Sequence, residues 1–290
     1  MEITTLIESK KLGKHHSKEE INYIIKSYKA GIVSDAQIAA WLTAIGFKGM
    51  SAEETAFLAE ALGKSGKIVN FGETKKVIVD KHSTGGVGNK VTITLIPLLA
   101  AAGIPVAKLA ARGLGHAAGT VDKLESIPEL NTNLSAEKIV KQVNEINAVI
   151  ASQSDDLAPI DKKFYAMRYD IDAIRTEPLI VSSIISKKIA SGATHIIIDV
   201  KYGIGTDIDT AEDAVRIANL IINVGKILEK SITVIITSMS EPLGRAVGNS
   251  IEVIEAIEFL KGNNVSDDLA NLTFYIASKT LLQLNIYESE

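Results

Sequence analysis

The sequence predicts an α/β fold, a largely parallel sheet flanked by helices, with a smaller all-helical domain attached to it. Three observations predict it. Residues up to about 70 carry serine-led capping signals ahead of apolar positions at helical spacing. From Lys76 onward, short β-branched runs alternate with segments of helical length. Two glycine-rich stretches each follow one of those runs, as expected where a parallel sheet presents ligand-binding loops at its carboxyl edge.

The helical part is read from its starts. Ser17 with Glu20, Ser34 with Gln37 and Ser51 with Glu54 each fit a capping box, in which hydroxyl and acid or amide satisfy backbone donors left over at a helix N-terminus. Ile21, Ile24, Ile25 and Tyr28 then form one apolar stripe, and Gly63 and Gly66 punctuate the chain before its character changes. The strand candidates are Val77–Val79, Val106–Leu109, Ala148–Ala151, Ile196–Val200 and Thr233–Ile236. Caps between them are Ser135, Thr210 with Asp213, and Asn249 with Glu252. The stretch from about Pro159 to Ala190 turns helical and charged, as a return excursion into the helical domain would. The expected domains are therefore 1–70 with a return segment at about 159–190, and an α/β domain of 75–155 and 193–290. Leu282 to Glu290 shows no clear strand or cap, so the last element is expected to be incomplete.

Composition narrows the function classes. With 46% apolar and 23% charged residues, the chain is globular rather than disordered. A net charge of −4 with no long basic run argues against nucleic acid as a partner. There is no cysteine, which removes disulfides, thiol nucleophiles and thiolate metal sites and suits a cytoplasmic location. The first twenty residues hold no apolar stretch of signal-peptide type. Val91 to Ala111 is apolar enough to raise the question of a membrane span, but Pro97, Gly103, Pro105 and Lys108 fall inside it. A buried helix followed by a buried strand is the expectation, with no membrane partner.

The chemistry concentrates in three places. Asp80-Lys81-His82-Ser83-Thr84-Gly85-Gly86-Val87-Gly88-Asn89-Lys90 follows a strand and enters a helix. Its glycines admit close backbone approach to an anion, the helix start favours negative charge, and Lys81, Ser83 and Thr84 add charge and hydroxyl donors. The spacing fits neither a P-loop nor a dinucleotide fingerprint. A second loop, Ala111 to Thr120, carries Arg112 and His116, each equally readable as an ordinary packing residue. The third place is Lys162–Arg168 with the helix Pro178–Lys188, where Ser183 and Lys187 lie four apart on one face. Taken alone, that pair reads as a solvated helix face.

Taken together, the strings DKHSTGGVGNK, RGLGH with GTVDKLESIP, FYAMR, PLIVSSIISKK and PLGRAVGNSIEV resemble, in this order up to about Lys261, the pyrimidine-nucleoside and thymidine phosphorylase family. The resemblance implies the nucleoside phosphorylase/phosphoribosyltransferase type of α/β fold and a homodimer formed through the helical domain. It implies reversible phosphorolysis of uridine, deoxyuridine or thymidine to free base and α-D-(deoxy)ribose 1-phosphate, with no organic cofactor. By carry-over, Lys81, Ser83, Thr92, Lys108 and Thr120 hold phosphate, Arg168, Ser183 and Lys187 bind the pyrimidine, and His82, Arg168 and Lys187 are the catalytic candidates. Gly88, Lys90, Leu243, Ala246 and Glu255 match the positions at which some relatives hold a potassium ion.

Several positions depart from the family's pattern. Ala110-Ala111 stands where Ser-Gly is usual, which predicts weaker phosphate binding. Ala117-Ala118 replaces Thr-Gly and adds methyl groups, Asn89 replaces an aspartate, and the Tyr202–Asp207 loop is unlike its counterparts. Relatives continue beyond residue 290, and without that portion an open sheet edge is expected. Two other readings follow from these residues: a catalytically impaired, dimerising remnant of the family, and a phosphoribosyltransferase of the same fold, which would want acidic magnesium ligands.

Overall fold

A computed structural model describes residues 1–72, 77–113, 117–263 and 266–286. Contacts divide the chain into two units: Met1–Ile68, Gln153–Ala190 and Asn219–Glu229 in the first, and Val69–Ser152, Ser191–Ala218 and Lys230–Glu290 in the second.

The first unit contains α1 (Ile3–Lys11), α2 (Lys18–Lys29), α3 (Asp35–Lys48), α4 (Ala52–Gly63), α8 (Pro159–Asp170) and α9 (Glu177–Ala190). All three expected capping boxes form, with Ser17, Ser34 and Ser51 each accepting the amide three residues on while Glu20, Gln37 and Glu54 reach back. The core gathers Ile21, Ile24, Ile38, Trp41, Leu42 and Ile45 with Phe164 and Leu179 from the return segment. Phe164 packs tilted against Tyr28 and edge-on against Trp41, with ring centroids 5.7 and 6.4 Å away. Glu54 has a second role. Its carboxylate, almost fully buried, binds the Lys10 ammonium at 2.6 Å and the His16 amide at 2.7 Å.

The second unit is built on five parallel strands, β1 (Val79–Ser83), β2 (Val106–Ala110), β3 (Ala148–Ser152), β4 (His195–Tyr202) and β5 (Ser231–Ser238). Their order is β3-β2-β1-β4-β5. The chain steps outward from β1 to β2 and β3, then returns to the far side of β1 for β4 and β5. The direction of winding therefore reverses between β1 and β4, the place where open α/β sheets bind ligands. Around the sheet lie α5 (Val91–Ala101), α6 (Thr120–Leu124), α7 (Ala136–Ile146), α11 (Asn249–Leu260) and α12 (Asp267–Gln283). The core joins Leu95, Ile96 and Leu99 of α5 to Val79, Val106 and Ile197 of the strands and Leu269 and Ile276 of α12. A further helix, α10 (Ala211–Ile227), starts on the Thr210–Asp213 cap.

Two local expectations are corrected. The first strand, expected at Val77–Val79, runs from Val79 to Ser83, through polar residues whose composition favours a loop. Five rungs with β4 and complete burial of Asp80 and Lys81 outweigh their low strand propensity. Asn249 is not the cap of α11; Gly248 is, and its amide is taken by the Glu252 carboxylate at 3.2 Å. The apolar run divides into α5 and β2, and among the described residues no helix is long and apolar enough to cross a membrane. Among the described strands β3 and β5 are the edges, and β5 is the more open, with Ile236 38% exposed.

Candidate active site

In the α/β unit, the carboxyl ends of β1 and β4 bring together residues more than a hundred positions apart. Lys81 on β1 and Lys201 on β4 are both fully buried, with ammonium groups 3.5 and 3.2 Å from one oxygen of Asp199. Thr237 from β5 donates to the other Asp199 oxygen at 2.6 Å. Thr84 closes the arrangement, accepting the Lys201 amide at 2.9 Å and donating its own amide to the Asp199 carbonyl at 3.1 Å. Two cations beside a glycine loop that leads into a helix make this edge favourable to an anion.

The loop itself is held by Asn89, whose side-chain amide donates to Ser83 Oγ at 2.6 Å and to the Gly85 carbonyl at 2.9 Å. An aspartate at 89 could only accept. With the amide donating into its oxygen, the Ser83 hydroxyl proton is left to donate, and it is directed at the Gly85 carbonyl at 3.3 Å. His82 lies on β1 and is partly buried. Thr92 is buried in the first turn of α5, and Lys108 is buried on β2. Thr120 opens α6. The second loop is drawn together by Asp122, which accepts the amides of Gly113 and Gly119 at 2.8 Å each. Arg112 is exposed and its guanidinium pairs with Glu125 at 2.7 Å. Ala118 is exposed, so its methyl does not crowd the backbone, while His116 lies outside the described residues. Thr206 bonds the Gly203 and Ile208 carbonyls and so ties the divergent Tyr202–Asp207 loop.

In the helical unit, α8 and α9 place the other candidates. Lys187 gives its three N–H bonds to Asp161 Oδ2 at 2.6 Å, Ser183 Oγ at 2.7 Å and the Ser183 carbonyl at 2.9 Å. Arg168 donates to the carbonyls of Ile174 and Leu179 at 2.6 and 3.0 Å, and both cations lie within about 6 Å of the Tyr165 ring. Arg168, Ser183 and Lys187 are all buried. The solvated-face reading of Ser183 and Lys187 is therefore wrong: the pair faces inward because Asp161 supplies a buried counter-charge.

The five positions expected around a potassium ion also converge, all within the α/β unit. Lys90 Nζ lies 2.7 Å from the Leu243 carbonyl, 2.9 Å from that of Ala246 and 2.6 Å from Glu255 Oε2. Gly88 abuts Leu243, whose amide donates to the Val87 carbonyl at 3.2 Å. Burial alone would raise the Glu255 carboxyl, but the Arg245 and Ala246 amides and the Lys90 ammonium hold it below the usual range. A second buried pair lies alongside, with Lys123 2.6 Å from Glu252 and 3.0 Å from the Asn89 carbonyl. Burial pushes the Lys123 ammonium down despite that partner.

Residues 75–289 match the glycosyl transferase family a/b domain, and residues 4–66 match the helical bundle domain of the same family. The chain belongs to this glycosyl transferase family. Among its relatives, the pyrimidine-nucleoside phosphorylase of Staphylococcus haemolyticus (strain JCSC1435) is 44% identical over 98% of this chain and 66% of its own length. That of Geobacillus stearothermophilus is 44% identical over 92% of this chain and 62% of its own length. The chain thus spans a little under two thirds of these relatives. The solved anthranilate phosphoribosyltransferase of Thermus thermophilus superposes with a TM-score of 0.76 over 98% of this chain and 90% of its own, at 18% identity, and shares the fold. For a member of this glycosyl transferase family, sequence reasoning missed Asp161, Asp199, Lys201 and Thr237. Asp199 and Lys201 stand at the end of an apolar strand run, and that placement was the one available signal.

Proposed function

We propose that this glycosyl transferase catalyses reversible phosphorolysis of pyrimidine nucleosides, with uridine, deoxyuridine and thymidine as substrates. Inorganic phosphate attacks C1′, the glycosidic bond breaks, and the free base leaves with α-D-(deoxy)ribose 1-phosphate as co-product. Such a reaction needs positioning and electrostatics more than covalent help. In this reading Lys81, Ser83, Thr92, Lys108 and Thr120 hold phosphate, with Lys201 as a further cation. Arg168, Ser183 and Lys187 bind the base and stabilise the negative charge that develops on its carbonyl oxygens, and His82 is the candidate acid.

The observation that carries the reading is the buried Lys187–Ser183–Asp161 arrangement, which holds a cation and a hydroxyl in fixed geometry inside a helical unit. That its relatives in Staphylococcus haemolyticus and Geobacillus stearothermophilus are pyrimidine-nucleoside phosphorylases supports it. We further propose a cytoplasmic homodimer formed through the helical unit, where Leu12, Ile32 and Phe47 expose apolar surface at 67%, 73% and 84%. Light scattering on the purified protein tests the dimer. The test of function is uracil release from uridine by purified protein with and without phosphate. Release that depends on phosphate is expected; no release at high phosphate from uridine, deoxyuridine or thymidine, by protein shown to be folded, refutes it.

A further inference from the structure

The ligand set expected for potassium does not fit an added ion, because it already surrounds a charge of its own. We propose that the Lys90 ammonium is this chain's tethered monovalent cation, filling an oxygen cage that would otherwise suit a potassium-sized metal ion.

The bond count is complete. An ammonium has three N–H donors, and the three acceptors are the Leu243 carbonyl, the Ala246 carbonyl and Glu255 Oε2, at 2.7, 2.9 and 2.6 Å. Lys90 is fully buried, and one carboxylate balances its one charge. Main-chain carbonyls converging with a carboxylate on one point are the ligands that hard cations take. The separations are too long for magnesium, which draws oxygens to about 2.0–2.1 Å, and long for calcium at about 2.3–2.6 Å. An ammonium and a potassium ion are near-equal in size, so oxygens arranged for one suit the other.

The main chain is shaped to this charge. Gly244 has φ +75°, and a Cβ there would stand 2.6 Å from Lys90 Nζ and 2.8 and 2.9 Å from the two Glu255 oxygens. Gly88, at φ +71°, would bring a Cβ to 2.7 Å from the Leu243 carbonyl oxygen. Glu255 is itself oriented by the Arg245 and Ala246 amides at 2.7 and 2.9 Å. The three acceptors an added cation would need are thus already taken by the three N–H donors of Lys90.

The consequence concerns the anion loop. Lys90 directly follows the glycine loop and precedes α5, so its bonds fasten the loop exit to residues 243–246 and to α11. The Lys123–Glu252 pair, bonded to the Asn89 carbonyl, fastens the preceding residue to the same helix. A dissociable ion would make this fastening depend on salt composition, whereas a tethered one does not. Lys90 is a positioning residue and touches no reacting atom.

The test uses the intact chain and its Lys90→Ser variant, with rubidium as the potassium stand-in in equilibrium dialysis and thermal unfolding in potassium, ammonium or choline chloride at one ionic strength. The wild-type protein is expected to bind no rubidium and to melt at the same temperature in all three salts. The variant is expected to bind one rubidium per chain, to melt on the order of 10 °C lower in choline, and to recover most of that loss in potassium or ammonium. One rubidium bound by the wild type overturns the proposal. So does a folded variant that binds none. Should the variant fail to fold, the wild-type dialysis decides alone. None of these readouts uses nucleoside turnover, so failure of the phosphorolysis reading leaves this inference standing, and the reverse holds too.

Discussion

Replacing Asp161 by asparagine tests whether the α8–α9 cluster is held by charge. The change keeps the shape of the side chain and removes its charge from a 2.6 Å contact with Lys187, where both side chains are at most 4% exposed. At an effective dielectric near 20, two unit charges at this distance attract by roughly 6 kcal/mol before desolvation is counted. Removing one partner from a buried pair typically costs about 3–5 kcal/mol, because the remaining charge stays buried. An asparagine oxygen accepting from Lys187 restores about 1 kcal/mol, and Gln153, now bonded to Asp161 Oδ2 at 3.1 Å, competes for that oxygen. The expected net loss is about 2–4 kcal/mol, which at roughly 2–4 °C per kcal/mol lowers Tm by about 5–15 °C. Calorimetry should show this, and the Asp161→Asn/Lys187→Met double variant should recover much of it, since no unpaired charge remains. In the proposed reaction, kcat/KM for uridine should fall by about 100-fold while KM for phosphate stays near its wild-type value. A Tm within about 2 °C of wild type, or losses in the double variant equal to the sum of the singles, would refute the charge-pair reasoning.

Further outcomes can be measured. Ala110→Ser places a hydroxyl at the buried end of β2 and, on the phosphorylase reading, lowers KM for phosphate by about tenfold or more; an unchanged KM in initial-rate kinetics counts against a phosphate site there. Lys81→Met should abolish phosphate-dependent turnover while uridine binding by calorimetry persists. The Glu54 and Glu255 carboxyls both lie below their ordinary value of 4.5: burial raises each but is outweighed, at Glu54 by Lys10 and the Ser51 and His16 amides. Because the folded values are depressed, the stability they supply is complete above about pH 4.5 and is lost as pH falls through the folded values. Melts from pH 7 to pH 3 should show that decline, and Glu54→Gln should flatten it while lowering Tm at neutral pH. Gly244→Ala should cost several degrees of Tm, since its methyl meets the Lys90 ammonium and the Glu255 carboxylate in a left-handed backbone conformation.

The sequence by itself determined what depends on neighbours in the chain. Ser17, Ser34 and Ser51 meet their partners three residues away, so the capping boxes were legible and the helix starts correct. The β-branched runs located β2, β3, β4 and β5, because strands of a covered parallel sheet are largely apolar along their length, but reached β1 only at Val79. The long motifs identified the family and named Lys81, Ser83, Arg168, Ser183 and Lys187 as candidates. Other features were decided only by tertiary structure, and each joins residues far apart. Lys81 meets Asp199 across β1 and β4, which turned Asp80–Ser83 from expected loop into strand. Lys187 faces inward because Asp161, 26 positions earlier, neutralises it. Lys90 reaches Glu255 165 positions later, and two carbonyls whose direction no side-chain identity records complete its cage. The physical reason is common to all three: a buried charge is stable only with a counter-charge and acceptors in place, and the chain's path through space decides which residues supply them.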